Sequence, residues 1–284
     1  MTLSVVTITL NEEANLGRTL ASVQPLVAEG TGEIIVVDSG STDRTMEIAK
    51  SFGAKVFVEE WKGFAAQKNS AIDKATGDWI LSLDADEELD VPLQRALHEM
   101  LEALDRLSAL DKETKTDSHS AANPTSDTGP EPYLDFAGLC IPRKNEFLGR
   151  WMRHGGYWPD PKLRLFRRGT GRFESRAVHE DVQVDGNTRR IQSGALLHHC
   201  YPTLSDYIEH MNRYSSLGAE MVVATGKVRF SVSNIVLRPL ATFLYNYFIR
   251  LGFLDGREGL LLHVFHAVYV SWKYAKAWEL SRKS

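Results

Sequence analysis

Two short stretches concentrate the side chains that could do chemistry. Residues 81–90 read LSLDADEELD, an apolar run that ends in Asp84, Asp86, Glu87, Glu88 and Asp90. Residues 177–182 read AVHEDV, with Glu180 and Asp181 consecutive after His179. Carboxylates packed this closely repel one another, so the first group needs a positive partner or open water. Hard oxygen donors suit a divalent cation, which offsets charge building on a departing phosphate. One carboxylate of the second pair would suffice as a general base. The plainer reading of LSLDADEELD is a solvated loop that caps the next helix.

The elements that must hold these residues are written in the hydrophobic period. LSVVTIT (Leu3 to Thr9) and EIIVVD ending at Asp38 read as buried strands, KVFVE as a third, short strand and DWILSLD as a fourth. Between them lie helical spacing through Leu16, Leu20, Val23 and Val27, the segment STDRTMEIAKSFG closed by Gly53, and FAAQKNSAIDKATG closed by Gly77. Strands alternating with short helices imply an α/β fold with a mostly parallel sheet and covered faces. Ligands of such sheets bind beyond the carboxyl ends of the strands. Asn11, Asp38 and Asp84 each fall at or just after such an end. Downstream, VPLQRALHEMLEALDRLSAL is a helix with Pro92 in its first turn. Residues 111–132 are polar and nearly free of large apolar side chains, which predicts a mobile insertion. Strand character returns in LDFAGLCIP and KLRLFRR, and LSDYIEHMNRYSSLGAEMVVAT is helical.

The 284 residues suit one large domain or two small ones, and the 43% hydrophobic and 25% charged content is that of a globular chain. A net charge of −4 gives no broad basic face, so nucleic acid is not an expected partner. Cys140 and Cys200 match no metal or redox spacing and read as reduced thiols. MTLSVVTITLNEE lacks the basic start and cleavage site of a signal peptide, which points to a cytoplasmic protein.

The blocks VVTITLNEEANLGRTLASV, EIIVVDSGSTDRTMEIA, GFAAQKNSAI and GDWILSLDADEEL together resemble the nucleotide-sugar half of family-two inverting glycosyltransferases of the GT-A fold. YWPDPKLRLFRRG, VHE and GFLDGREGLL resemble the subgroup that builds the lipopolysaccharide inner core, typified by its β-1,4-glucosyltransferase. The resemblance implies a nucleotide-diphosphate sugar donor such as UDP-glucose, a lipid-linked saccharide acceptor, and Mg2+ or Mn2+ as cofactor. It implies Asp86 as the main metal ligand, with Asp84 nearer the ribose and sharing the metal site. It places Thr9, Asn11, Glu12 and Glu13 with Asp38 in the base pocket, and Lys68 and Asn69 near the diphosphate. Asn11 or Asn15 could equally cap a helix, Asp38 could instead form the turn at DSGS, and Lys68 could be a solvated helix lysine. Consecutive strand residues face opposite ways, so only one of Glu180 and Asp181 can face the donor; the lipopolysaccharide subgroup that this block resembles has a His-Glu pair here, which favours Glu180 as base over Asp181. Trp158 suits a sugar face and Arg164 a phosphate, as do Arg167 and Arg168 unless their strand simply has one basic face. His198 would complete the metal shell or orient the base.

The expected organisation is a GT-A domain over 1–229, with the nucleotide-sugar half at 1–90 and the acceptor half at 133–229. An amphipathic helical segment follows at 230–284. Its two apolar stretches are short for a ~20-residue span and carry arginines, lysines and aromatic residues. That pattern fits helices in a membrane interface, giving peripheral contact with the cytoplasmic face; the alternative is a helical pair packed on the catalytic domain or a sister subunit. Two other functions share parts of the pattern. A sugar nucleotidyltransferase would carry a Gly-rich basic loop after the first strand, where TLNEE stands. A non-catalytic membrane scaffold would have no need of both DAD and HED.

Overall fold

The computed structural model describes residues 1–116, 136–174, 181–226 and 228–282. The alternation of period becomes β1 (Leu3–Thr9), α1 (Leu16–Val27), β2 (Gly32–Asp38), α2 (Thr45–Ser51), β3 (Lys55–Val58), α3 (Phe64–Asp73) and β4 (Trp79–Ser82). A short β5 (Glu87–Leu89) and the long α4 (Val91–Thr116) follow. Then come β6 (Gly138–Ile141), β7 (Arg143–Phe147), β8 (Arg150–Met152), β9 (Lys162–Arg167), β10 (Gly171–Phe173), β11 (Val182–Val184), β12 (Thr188–Arg190) and β13 (Leu196–Tyr201). The chain ends in α5 (Leu204–Ala224), α6 (Arg238–Leu244) and α7 (Gly256–Ser281), with π-helical turns at Ser233–Leu237 and Tyr245–Ile249 on either side of α6. The insertion expected at 111–132 begins as helix, because α4 runs on through Thr116; the rest of it lies outside the described residues.

The chain forms two compact units. The first comprises Met1–Pro142, Pro161–Glu174 and Asp181–Leu196. Its seven-stranded sheet has the order β12-β6-β9-β4-β1-β2-β3. Strands β4, β1, β2 and β3 are mutually parallel, and β9 runs antiparallel to both β4 and β6. The continuous apolar runs are what a two-sided sheet needs. Leu3, Val5, Val36 and Leu81 pack on α1 and α4 through Leu16, Leu20, Val23 and Leu97. On the other face Val6, Ile35, Val37 and Ile80 pack with Ala71 and Ile72 of α3 and with Phe166 and Phe173.

The second unit holds Arg143–Asp160 and the described residues from Leu197 onward. Strands β7 and β8 pair antiparallel, and β13 lies beside β7. Phe147, Met152, Tyr207 and Leu262 form its core, so α7 is packed into the unit through Leu262 and lies along α5. This grouping cuts across the boundary expected near residue 229: the helix α5 and the tail share one body. Gly155 (φ +65°) and Gly252 both abut the His263 ring, and a Cβ at either position would overlap it. Only glycine allows that approach.

Candidate active site

The strand order β4-β1-β2 brings the loops after Thr9, Asp38 and Ser82 side by side at the carboxyl edge of the parallel strands. The first two loops are stitched together. Asn11, in the left-handed region at φ +55°, donates its backbone N–H to Ser41 Oγ (2.8 Å) and accepts from the Thr42 N–H through Oδ1 (2.9 Å). The Glu12 N–H donates to Thr45 Oγ1 at 2.7 Å, and Glu13 Oε2 accepts from the Arg44 N–H at 3.0 Å. Asp38 is wholly buried. Its Oδ1 accepts from the N–H groups of Gly40 and Ser41 (2.9 and 2.7 Å), and its Oδ2 from Thr9 Oγ1 and Ser41 Oγ (2.8 and 2.5 Å). These bonds give Asp38, with Thr9, the turn-forming role at DSGS. Asn15 occupies the N-cap of α1 without a capping bond; its amide donates to Glu12 Oε2 at 3.0 Å.

The third loop carries the acidic cluster. Burial pushes the Glu12 carboxyl up and the Asn15 amide pulls it back, while the negative charges of Asp86, Asp43 and Asp84 push it further up. Glu12, Asp84 and Asp86 therefore share one electrostatic neighbourhood, contributed by the ends of β1 and β4. Cations meet part of that charge. Lys68 Nζ, from α3, lies 2.6 Å from Asp84 Oδ1. Arg164 Nη2, from β9, lies 2.5 Å from Asp84 Oδ2 and 2.7 Å from Glu87 Oε1. Burial works against the Arg164 charge, but Asp84 and Glu87 outweigh it and raise its pKa further. Glu87 closes the loop on itself, its Oε2 accepting from the Asp84 N–H at 3.1 Å.

Several expectations change here. Lys68 is buried against Asp84 rather than solvated, its ammonium 5.1 Å from the Phe173 ring centre. Asn69 does not offer its amide to a diphosphate: Nδ2 donates to Phe173 O and Oδ1 accepts from Phe173 N, both at 2.9 Å, clamping β10. Arg164 is a buried counter-ion of Asp84 and Glu87 rather than a phosphate fork. Asp84 is flanked by two cations, and Asp86, the other carboxylate of the DAD pair, is half-buried. Arg167 packs over Trp79 and donates to Phe136 O, and Arg168 donates to Gly77 O. Asp90 does cap the following helix, its Oδ1 accepting from the Leu93 N–H at 3.0 Å.

His198 belongs to the second unit, where its Nδ1 lies 2.7 Å from Asn145 Oδ1. Among the described residues no three His, Cys, Asp or Glu side chains gather as a metal cluster. His198 lines a cavity of about 260 Å³ with Asn145, Asp160, Arg143, Tyr157 and Tyr201. Trp158, exposed and preceding a cis-Pro159, also lies in the second unit, with Lys144 Nζ 5.9 Å from its ring centre. Asp181 is exposed just before β11. Glu180 lies outside the described residues.

The sequence reading missed Thr19 and Ser22 on α1. Thr19 Oγ1 donates to Ala85 O at 2.7 Å and Ser22 Oγ accepts from the Leu89 N–H at 3.1 Å, fixing both ends of the acidic loop. Two hydroxyls three residues apart on the buried face of a helix were the available signal, because a buried hydroxyl needs a partner. The donor set suits a hard cation: an Mg2+ ion commonly takes one or two protein carboxylates and completes its shell with water and substrate phosphates. Asp86 is the first residue placed to hold it, with Glu12 beside it.

An α/β sheet of this kind takes its ligand beyond the carboxyl ends of its parallel strands, which is where this chain carries its carboxylate cluster. Comparison with known proteins gives the family. Residues 4–119 match the profile of glycosyl transferase family 2. The lipopolysaccharide core biosynthesis glycosyltransferase LpsC of Rhizobium meliloti is 31% identical over 98% of this chain and 92% of its own length. An uncharacterized glycosyltransferase of Rickettsia typhi is 30% identical over 99% of this chain and 88% of its own. Among solved structures, glucosyl-3-phosphoglycerate synthase of Mycobacterium tuberculosis, bound to Mn2+, UDP and glucosyl-3-phosphoglycerate, is similar over 36% of this chain and 39% of that one, at 32% identity and a TM-score of 0.31. The chain belongs to glycosyl transferase family 2, and its mixed sheet flanked by helices is the GT-A arrangement.

Proposed function

We propose that this glycosyltransferase moves a hexose, with inversion, from a uridine-diphosphate sugar such as UDP-glucose to a lipid-linked saccharide of the lipopolysaccharide inner-core type. The observation that carries the donor side is the run of carboxylates that follows β4, in which Lys68 and Arg164 hold Asp84 and Arg164 also holds Glu87. The acceptor class rests on the likeness to LpsC along nearly the whole chain.

Asp86 and Glu12 would hold a divalent cation, which when bound offsets the charge that builds on the diphosphate as the glycosidic bond breaks. Lys68 and Arg164 fix the Asp84 carboxylate, so the acidic loop is already ordered when donor arrives. Thr9, Asn11, Glu13 and Asp38 shape the stitched loops that would receive the nucleoside. Glu180, or failing it Asp181, would take the proton of the acceptor hydroxyl as it attacks the anomeric carbon. In the second unit, the cavity beside His198 combines an apolar floor of Phe147, Met152 and Leu262 with Asn145, Asp160 and Arg143, which suits a sugar. The reaction takes place on the cytoplasmic side of a membrane that the enzyme touches peripherally; among the described residues no helix is long and apolar enough to cross one.

The test is UDP release by the purified protein across a panel of nucleotide sugars, with and without a lipid-linked core saccharide. The reading predicts one preferred UDP-hexose and strong stimulation by acceptor and by Mg2+ or Mn2+. Equal rates with and without acceptor would overturn the transfer reaction.

A further inference from the structure

About half of the exposed large apolar side chains among the described residues fall between residues 228 and 254. Phe230, Val232, Leu237, Leu240 and Phe248 are each more than half exposed, and Ile249 is 71% exposed. Water-exposed apolar surface on this scale marks a contact surface. The same stretch carries Arg229, Arg238 and Arg250, all exposed, and no Asp or Glu, although the whole chain is net −4.

The tail has a covered side and an uncovered one. Helix α7 is anchored on α5: Lys276 Nζ bonds Asn212 Oδ1, Ser215 Oγ and Ser216 Oγ at 2.6, 2.7 and 2.9 Å. The packed-pair alternative therefore describes α7. Helix α6 and its flanking π turns bury only Pro239. Between α6 and α7 runs an open groove of about 280 Å³, lined by Pro239, Leu240, Phe243, Val264, Ala267 and Val268 with Ser271. The Ser271 hydroxyl is spent on Ile235 O at 2.9 Å, so the groove has an apolar lining.

We propose that residues 228–254 seat in the headgroup–acyl boundary of an anionic lipid leaflet, and that the α6–α7 groove takes one lipid acyl chain. This rests on the peripheral membrane contact proposed above and assigns it to particular residues. An amphipathic segment that cannot span lies in the interface plane with its apolar side chains among the acyl chains, while its cations meet anionic headgroups. Charge selects lipid over a second copy of this chain. A two-fold contact through this face would gather six guanidiniums in one interface, with no carboxylate from residues 228–254 to meet them. An anionic leaflet satisfies all three.

The experiment uses the full chain and vesicles that contain neither donor nor acceptor, so its outcome is separate from that of glycosyl transfer. The protein is sedimented with phosphatidylcholine vesicles, alone or with about one-third phosphatidylglycerol, at low and high salt. Binding to the anionic vesicles at low salt, weakened by salt, is expected. The double substitution Phe248→Asp/Ile249→Asp lies on exposed positions and should cut the bound fraction by at least about tenfold while leaving the thermal melt unchanged. Phe243→Trp adds a fluorophore in the groove to the six native tryptophans, and lipids brominated along the acyl chain should quench the variant more than the parent chain. Absent vesicle binding, or binding indifferent to the double substitution, overturns the lipid seat; no extra quenching in the variant overturns the acyl groove. If the double substitution instead splits a dimer while vesicles bind neither form, the face is a self-contact and the proposal falls.

Discussion

Arg164 and Glu87 form a buried ion pair: Nη2 stands 2.7 Å from Oε1, with the arginine 5% exposed and the glutamate not exposed at all. Asp84 shares the same guanidinium nitrogen. The arginine therefore carries the charge balance of the acidic loop. Removing one member of a buried pair leaves the other uncompensated, at a cost of ~3–5 kcal/mol. Arg164→Met should destabilise the fold by about that amount, read by urea unfolding, and Arg164→Met/Glu87→Leu should recover part of it. If Arg164→Met instead retains full stability and loses only donor affinity, the guanidinium binds phosphate after all.

A buried arginine at this position was within reach of the sequence. Five carboxylates in ten residues ask for a cation, and KLRLFR sets Arg164 between two leucines of a strand. Its three residues of continuous burial, Arg164 to Phe166, were masked by the basic look of the whole block. The parallel strands β1 to β4 were legible because each is an apolar run flanked by a helix with clear spacing. Strands β5, β8 and β10 to β12 are three residues each, too short to show a period. The pairing of β9 with β4 joins residues more than eighty positions apart, as in Trp79 with Arg167, and nothing local encodes it. The contact of His198 with Asn145 was out of reach for a different reason: histidine type and spacing look the same whatever partner the ring meets.

Asp86 tests the cation. Asp86→Ala removes the carboxylate proposed to hold the metal and should lower turnover by roughly a hundredfold or more. Its loss also relieves the charge that pushes Glu12 up, so the fold should hold or gain slightly in thermal melting. Full activity of Asp86→Ala in the presence of a chelator would show that the transfer needs no metal at this position.

Glu59 provides a pH signature unconnected with the acidic loop. Hydrogen bonds from Lys74 (2.5 Å), Lys62 (2.9 Å) and Ser70 (2.7 Å) hold its carboxyl down at about 2, against an ordinary 4.5. A depressed carboxylate stabilises the fold fully above its unfolded pKa and loses that contribution as pH falls through the folded value. Glu59→Gln should therefore melt about 2–4 °C below the parent at pH 7. The gap should close as pH falls from 4.5 towards 2. A gap that stays constant over that range would mean the three donors do not hold the charged form.

Glu180 and Asp181 remain to be separated by chemistry, and the two variants have opposite expectations. A base must reach the acceptor hydroxyl, and swapping a carboxylate for its amide keeps shape while removing basicity. Glu180→Gln should lower turnover by about 10²–10⁴ with UDP-sugar affinity unchanged, because the proposed donor pocket is made by the loops after β1, β2 and β4. Asp181 is exposed at the start of β11, and its backbone oxygen accepts from the Glu174 N–H at 3.4 Å, a bond that the amide variant keeps. Asp181→Asn should accordingly cost much less. Turnover and donor binding measured on both variants decide the matter: the reverse order of rates assigns the proton to Asp181, and two small losses would remove the pair from the chemistry.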